Sequence, residues 1–178
     1  MSEVLDAEDV REVVLAYQKM AGEVIKECGG HIAQFLGDGI LTYFGFPVAH
    51  EDAAVRGCQA ALDILAGLDG LNAELLKNGI NLGAPVAVRL GMHVGSVVIG
   101  EMGGGNRTET LALGDTPNIA ARMESLAPNN GIAITCVLCS LLCSLLCSLL
   151  SSLLSFLLSS LHSSLLTSAA AGRASRAW

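Results

Sequence analysis

Charge is scarce in this chain, and one long stretch has none. Aspartate, glutamate, lysine and arginine make up 15% of the 178 residues. From Ser125 to Gly172 not one of them occurs. A basic excess is also missing: 10 basic residues stand against 17 acidic ones, for a formal charge of −7. Nucleic-acid binding draws its affinity from cations set against phosphates, so nucleic acid is excluded as an expected partner. The N-terminus, Met1-Ser-Glu-Val-Leu-Asp6, has no basic stretch followed by an apolar run. No signal peptide is visible, and a cytoplasmic location is expected. Cys28 and Cys58 fall at apolar positions of predicted helices, where packing is the ordinary role. Cys136, Cys139, Cys143 and Cys147 lie in the charge-free tail with no carboxylate or histidine close by, so their spacing does not make a zinc site.

Up to Thr135 the chain is strongly patterned. Asp6 to Cys28 reads as a helix with Val10, Val13, Tyr17, Met20, Val24 and Ile25 on one stripe. Asp6 can cap it, and Gly29-Gly30 ends it. Two apolar runs follow, Ile32 to Leu36 and Ile40 to Phe46, on either side of Gly37-Asp38-Gly39. Branched and aromatic residues around Asp-Gly predict a buried hairpin with Asp38 at its tip. Taken alone, Asp38 reads as a turn former. A second helix is expected from about His50 to Ala66, with a short extension over Leu71 to Leu76.

Val86 to Val94 alternates with period two and predicts a half-buried strand, with Val97 to Ile99 continuing it beyond Gly95. The glycine-rich segment Gly100 to Asn106 precedes a predicted strand, Arg107 to Leu113. A phosphate loop needs a helix N-terminus there, so this segment reads as a hairpin tip. Thr116 to Leu126 predicts a third helix, capped by Thr116 with Pro117 in the first helical position. Asn118 and Arg122, four residues apart, share one of its faces. Gly131 to Thr135 predicts a short strand.

Three segments carry a family resemblance: Phe35-Leu-Gly-Asp-Gly-Ile, Arg89-Leu-Gly-Met-His-Val-Gly-Ser-Val-Val-Ile-Gly and Leu113-Gly-Asp-Thr-Pro-Asn-Ile-Ala-Ala-Arg-Met. In this order and spacing they resemble the catalytic domain of class III nucleotidyl cyclases, most of all bacterial adenylate cyclases, from about Val4 to Thr135. The resemblance implies an α+β, ferredoxin-like sandwich with helices on one face of an antiparallel-rich sheet. It implies a paired domain, as homodimer or heterodimer, that converts ATP to cyclic AMP and pyrophosphate at the interface. It further implies that Asp38 is one of two aspartates holding two Mg2+ (or Mn2+) ions. Asn118 and Arg122, from the other subunit, would hold the ribose and the transition-state phosphate. Two metals and an arginine fork suit attack of the ribose 3′-hydroxyl on the α-phosphorus.

The chain also departs from the family pattern. The other metal aspartate belongs to a strand ahead of the first helix, and no such strand precedes Asp6. In the base pocket, Gln34 stands where many members have a lysine, and Leu111 where its partner is expected. After Thr135 the expected elements give way to a Cys-Ser-Leu-Leu tetrad that drifts to Ser-Ser-Leu-Leu. Residues 1–135 therefore read as a partial cyclase domain and 136–178 as a low-complexity tail, from a frameshift or repeat expansion. A period of four turns the leucine stripe by about 40° per tetrad, so a helix here would be apolar all round. Leu141 to Leu161 would span about 31 Å, enough for a bilayer core, and only in that case is a membrane a partner. The rival reading is a catalytically inactive module that pairs with another cyclase domain.

Overall fold

The computed structural model describes residues 7–80, 83–102, 109–148, 150 and 151; for residues 7, 101, 102 and 109–113 it describes the backbone alone. The chain divides into two compact units, Met1–Leu138 and Cys139–Trp178. The first unit contains helix α1 (Ala7–Glu27), strands β1 (Gly30–Leu36) and β2 (Gly39–Phe44), and helix α2 (Ala53–Lys77). Strands β3 (Arg89–Met92), β4 (Val98–Met102) and β5 (Glu109–Leu113), helix α3 (Thr116–Leu126) and strand β6 (Gly131–Ile134) follow. The strands pair in three ladders: β1 with β2 antiparallel, β4 with β5 antiparallel, and β3 with β6 parallel. The expected α+β class is found, with the sheet present as these short ladders.

The core lies where α1 and α2 pack together. Val13, Leu68, Leu71, Leu75, Ile80 and Val86 form one buried cluster. Ala21, Ile25 and Ile64 form a second, on which Ile32, Ile40, Phe44, Val88 and Leu90 rest. Both the β1–β2 hairpin and β3 therefore lie on one α1–α2 layer. Full burial of a side chain such as Leu75 (2% exposed) contributes about 2 kcal/mol.

Four sequence expectations change in detail. First, α2 is one helix of 25 residues, not a helix ending near Ala66 with a separate extension. Gly67 does not break it, because a Cβ there would stand 3.1 Å from Met20 Sδ on α1. The glycine allows close helix packing, and the packing outweighs its low helix propensity. Second, the strand expected over Val86 to Val94 is a ladder only at β3. Its first half is paired by Asn72 and Asn130 instead. Asn72 accepts from Val86 N at 2.7 Å and donates to Val86 O at 3.3 Å. Asn130 Oδ1 accepts from Val88 N at 3.1 Å, and Asn130 N donates to Val88 O at 2.7 Å.

Third, Asp115, not Thr116, occupies the cap position of α3, and Pro117 is the second helical residue. The Thr116 hydroxyl instead donates to Ser96 O at 3.0 Å, tying α3 to the loop after β3. Fourth, the hairpin is half-buried rather than buried, and its tip is exposed. The proposed cap Asp6 and much of the glycine-rich tip fall outside the described residues.

Leu138, the last residue of the first unit, is 1% exposed. Residues 136–148 are helical. Among the described residues no helix is long and apolar enough to cross a membrane. Most of the second half of the Leu141–Leu161 stretch lies outside the described residues.

Candidate active site

Asp38 is placed by its turn. Leu36 pairs with Gly39, which leaves Gly37 and Asp38 as the two loop residues. Gly37 has φ 64°, while Asp38 is not among the residues with positive φ. This is the pattern of a type II′ turn, which needs glycine in its first loop position. From α1, Gln18 Nε2 donates to Gly37 O at 3.1 Å and ties the tip to the helix layer. The Asp38 carboxylate is exposed, and Phe35 (49%) and Leu36 (55%) stand exposed beside it.

Asp38 also lines a cleft of about 430 Å³ bordered by β2, β3, α2 and α3. Two further polar groups of that cleft, Tyr17 and Glu124, carried no functional signal in the sequence. Tyr17 simply continues the apolar stripe of α1. Burial, then the charges of Asp38 and Glu124, push the Tyr17 hydroxyl above its ordinary value of 10.0. Arg89 adds the one guanidinium among the cleft's lining residues.

Helix α3 lies against β3 almost backbone to backbone. A Cβ on Gly91 would fall on Ala120 O and Glu124 N, so only glycine fits there. Leu90 packs toward α1 and α2, and successive residues of a strand point to opposite faces, so α3 covers the other face of β3. Pro117, Ala120, Ala121 and Glu124 of α3 face the cleft. At 100° per residue, Asn118 and Arg122 point roughly 120° away from that side. Both are exposed.

The structure thus brings Asn118 and Arg122 together but sets them on a different surface from Asp38. Gln34 sits in β1 at a register irregularity, opposite Leu41. Leu111 lies in β5 opposite Gly100, and β5 touches β1. The Leu111 side chain lies outside the described residues.

The structure thus sets a hairpin-borne carboxylate and a helix-borne Asn-x-x-x-Arg on one α+β frame. The family model of the adenylate and guanylate cyclase catalytic domain matches residues 2–149. The chain belongs to that family. It is 30% identical over 134 residues to adenylate cyclase 1 of Rhizobium meliloti (strain 1021), covering 75% of this chain and 20% of that protein. It is 31% identical over 135 residues to an adenylate cyclase of Anabaena cylindrica, covering 75% of this chain and 26% of that protein. The chain therefore spans about a quarter or less of the length of these relatives.

Among solved structures, the adenylyl cyclase CyaB from P. aeruginosa superposes with a TM-score of 0.74 at 26% identity, over 80% of this chain and 73% of that one. The guanylyl cyclase Cya2 superposes with a TM-score of 0.70 at 32% identity, over 77% and 68%.

Proposed function

We propose that this chain takes part in converting ATP to cyclic AMP and pyrophosphate at the interface of two cyclase domains. The observation that carries this is the division of the site: Asp38 on one surface, Asn118 and Arg122 on another. One chain cannot close these groups around a single nucleotide, whereas two domains can. The half-exposed Phe35 and Leu36 next to Asp38 suit a surface that a second domain covers.

In the reaction the ribose 3′-hydroxyl attacks the α-phosphorus, the bond to the β-phosphate oxygen breaks, and pyrophosphate leaves. The Arg122 guanidinium offers a planar fork of donors to the charge that grows on the phosphoryl oxygens. The Asn118 amide both donates and accepts, which suits the ribose. ATP is favoured over GTP because the two bacterial relatives above are adenylate cyclases. Gln34 would meet the base.

Cyclases of this family use divalent metal ions. The carboxylates lining the cleft are Asp38 and Glu124, and among the described residues no group of three metal-ligating side chains could hold an ion. The described residues do not make a cation site on their own, and Asp38 would be one ligand of a larger set. The same observation favours a second reading, a module that pairs with another cyclase domain without turnover of its own. Cyclic AMP formation by the purified chain, alone and mixed with a complete cyclase domain, separates the two. Little or no product alone, and a rise on mixing that Arg122→Ala removes, is expected. No rise on mixing refutes the catalytic reading. Magnesium-dependent turnover by the chain alone, unaffected by Asp38→Ala, refutes the site assignment.

A further inference from the structure

Three cysteines of the tail stand one helical turn apart. Cys139, Cys143 and Cys147 lie in the helical stretch 136–148 at steps of four residues. All three are free and exposed. Residues four apart on a helix are neighbours, with Cβ atoms about 5–6 Å from each other. At 100° per residue, each step of four turns the thiol by about 40°, so Cys139 and Cys147 point about 80° apart. Cys143 stands between them and neighbours both. Cys139, first as a charge and then as a hydrogen-bond partner, pushes the Cys143 thiol above its ordinary 9.0. Burial and then Cys147 add less, so Cys139 is the stronger partner.

These thiols have no hard donors beside them. No aspartate or glutamate occurs from Ser125 to Gly172. Among the described residues no group of three His, Cys, Asp or Glu side chains could hold an ion. Structural zinc takes four ligands, and Mg2+ and Ca2+ take a shell of oxygens, so the helix face suits none of them. What it offers is a pair of neighbouring sulfurs. Leu142 and Leu146 follow Cys139 and Cys143 at three residues and flank the same face. Thiolates select soft ions, and an apolar surround favours them further by limiting water.

From these observations we infer that this helix face holds one soft monovalent ion of the Cu(I) class between two thiolates, Cys143 and Cys139, with Cys147 as the spare neighbour. Binding replaces two S–H bonds with two sulfur–metal bonds and releases two protons. The ion enters and stays as Cu(I), so no oxidant or reductant is needed. The site lies within the second compact unit and is independent of the nucleotide chemistry proposed above.

The test adds Cu(I), under nitrogen, to the reduced full chain in competition with a coloured Cu(I) chelator. The chain should hold one ion against the chelator, and X-ray absorption should show two sulfur neighbours around it. Cys143→Ser should weaken retention by more than the roughly tenfold that loss of an outer-shell partner costs. Serine is already the residue in the next slot of the repeat, at Ser151, so the exchange suits the helix. Cys147→Ser should weaken retention less than Cys143→Ser, and Cys58→Ser in the first unit should leave it unchanged. Failure to hold an ion overturns the proposal, as does equal retention by Cys143→Ser. The absorption spectrum of the parent chain tests the site without any variant: a shell of three or four sulfurs overturns it. Dimerisation of the chain on adding the ion, seen by sedimentation, also overturns it, because the two sulfurs would then come from different copies.

Discussion

Helices α2 and α3 are both amphipathic by sequence, yet they are held in different ways. Seven residues of α2 are buried, against none of α3, all of whose residues are described. α2 forms because its apolar stripe is consumed by the core with α1, and that contact overrides three internal glycines, Gly57, Gly67 and Gly70. α3 is held by its backbone against Gly91, by the Thr116 bond to Ser96 and by a proline near its start. Its outer face is left to Asn118 and Arg122. A helix that stabilises the fold shows its role through burial, while one that presents a site shows it through what it leaves uncovered.

The largest expected effect lies on the exposed helix and is functional. In the mixture with a complete domain, Arg122→Ala should lower the added cyclic AMP rate by about 10²- to 10³-fold, the usual loss for one transition-state donor. The loss should fall in kcat more than in KM, because the charge it meets develops on the way to the transition state. Urea unfolding of the variant should match the parent within about 0.5 kcal/mol. A large stability change with unchanged rate would reverse the roles given to the two helices.

The buried helix should answer the other way. Leu75→Ala should destabilise the chain by about 2–5 kcal/mol, since Leu75 is only 2% exposed. Leu126→Ala at the end of α3, where the leucine is 72% exposed, should change stability by less than about 0.5 kcal/mol. Urea midpoints of the two variants test the pair directly. Gly91→Ala comes next, at about 1–3 kcal/mol, because its Cβ would press on the α3 backbone with no flexible side chain to yield. If Gly91→Ala costs nothing, α3 is not seated on β3 as described.

The same comparison explains what could be read in the sequence. α1, α3 and the hairpin follow from periodicity and turn residues within a few positions, because their signals are local. The length of α2 was not legible: Gly67 argues against helix until Met20 is known to lie across it. The early end of the strand around Val86 was hidden for a similar reason, since Asn72 and Asn130 are distant in sequence. The roles proposed for Asp38, Asn118 and Arg122 come from the family motifs rather than from any local pattern. Tyr17 and Glu124 were not, because a stripe tyrosine and a helix glutamate carry no signal until the cleft joins them.

Tyr17 offers the smallest effect and the finest test, for it belongs to the buried half yet responds to charges on both. Its hydroxyl is held protonated above the ordinary 10.0 by burial first, then by Asp38 and then by Glu124 of α3. An acid whose folded-state pKa is raised binds its proton more tightly in the native than in the unfolded chain. Its contribution to stability is therefore complete below pH 10 and is lost as pH rises through the folded value. Tyr17→Phe should leave stability below pH 9 nearly unchanged and flatten the decline above pH 10 relative to the parent. The ring stays, so packing is preserved. Following tyrosinate absorbance, Asp38→Asn should lower the Tyr17 titration more than Glu124→Gln, in the order of their influence. A Glu124→Gln variant with no shift at all would mean that α3 does not close over the cleft, and the contrast between the two helices would lose its one point of contact.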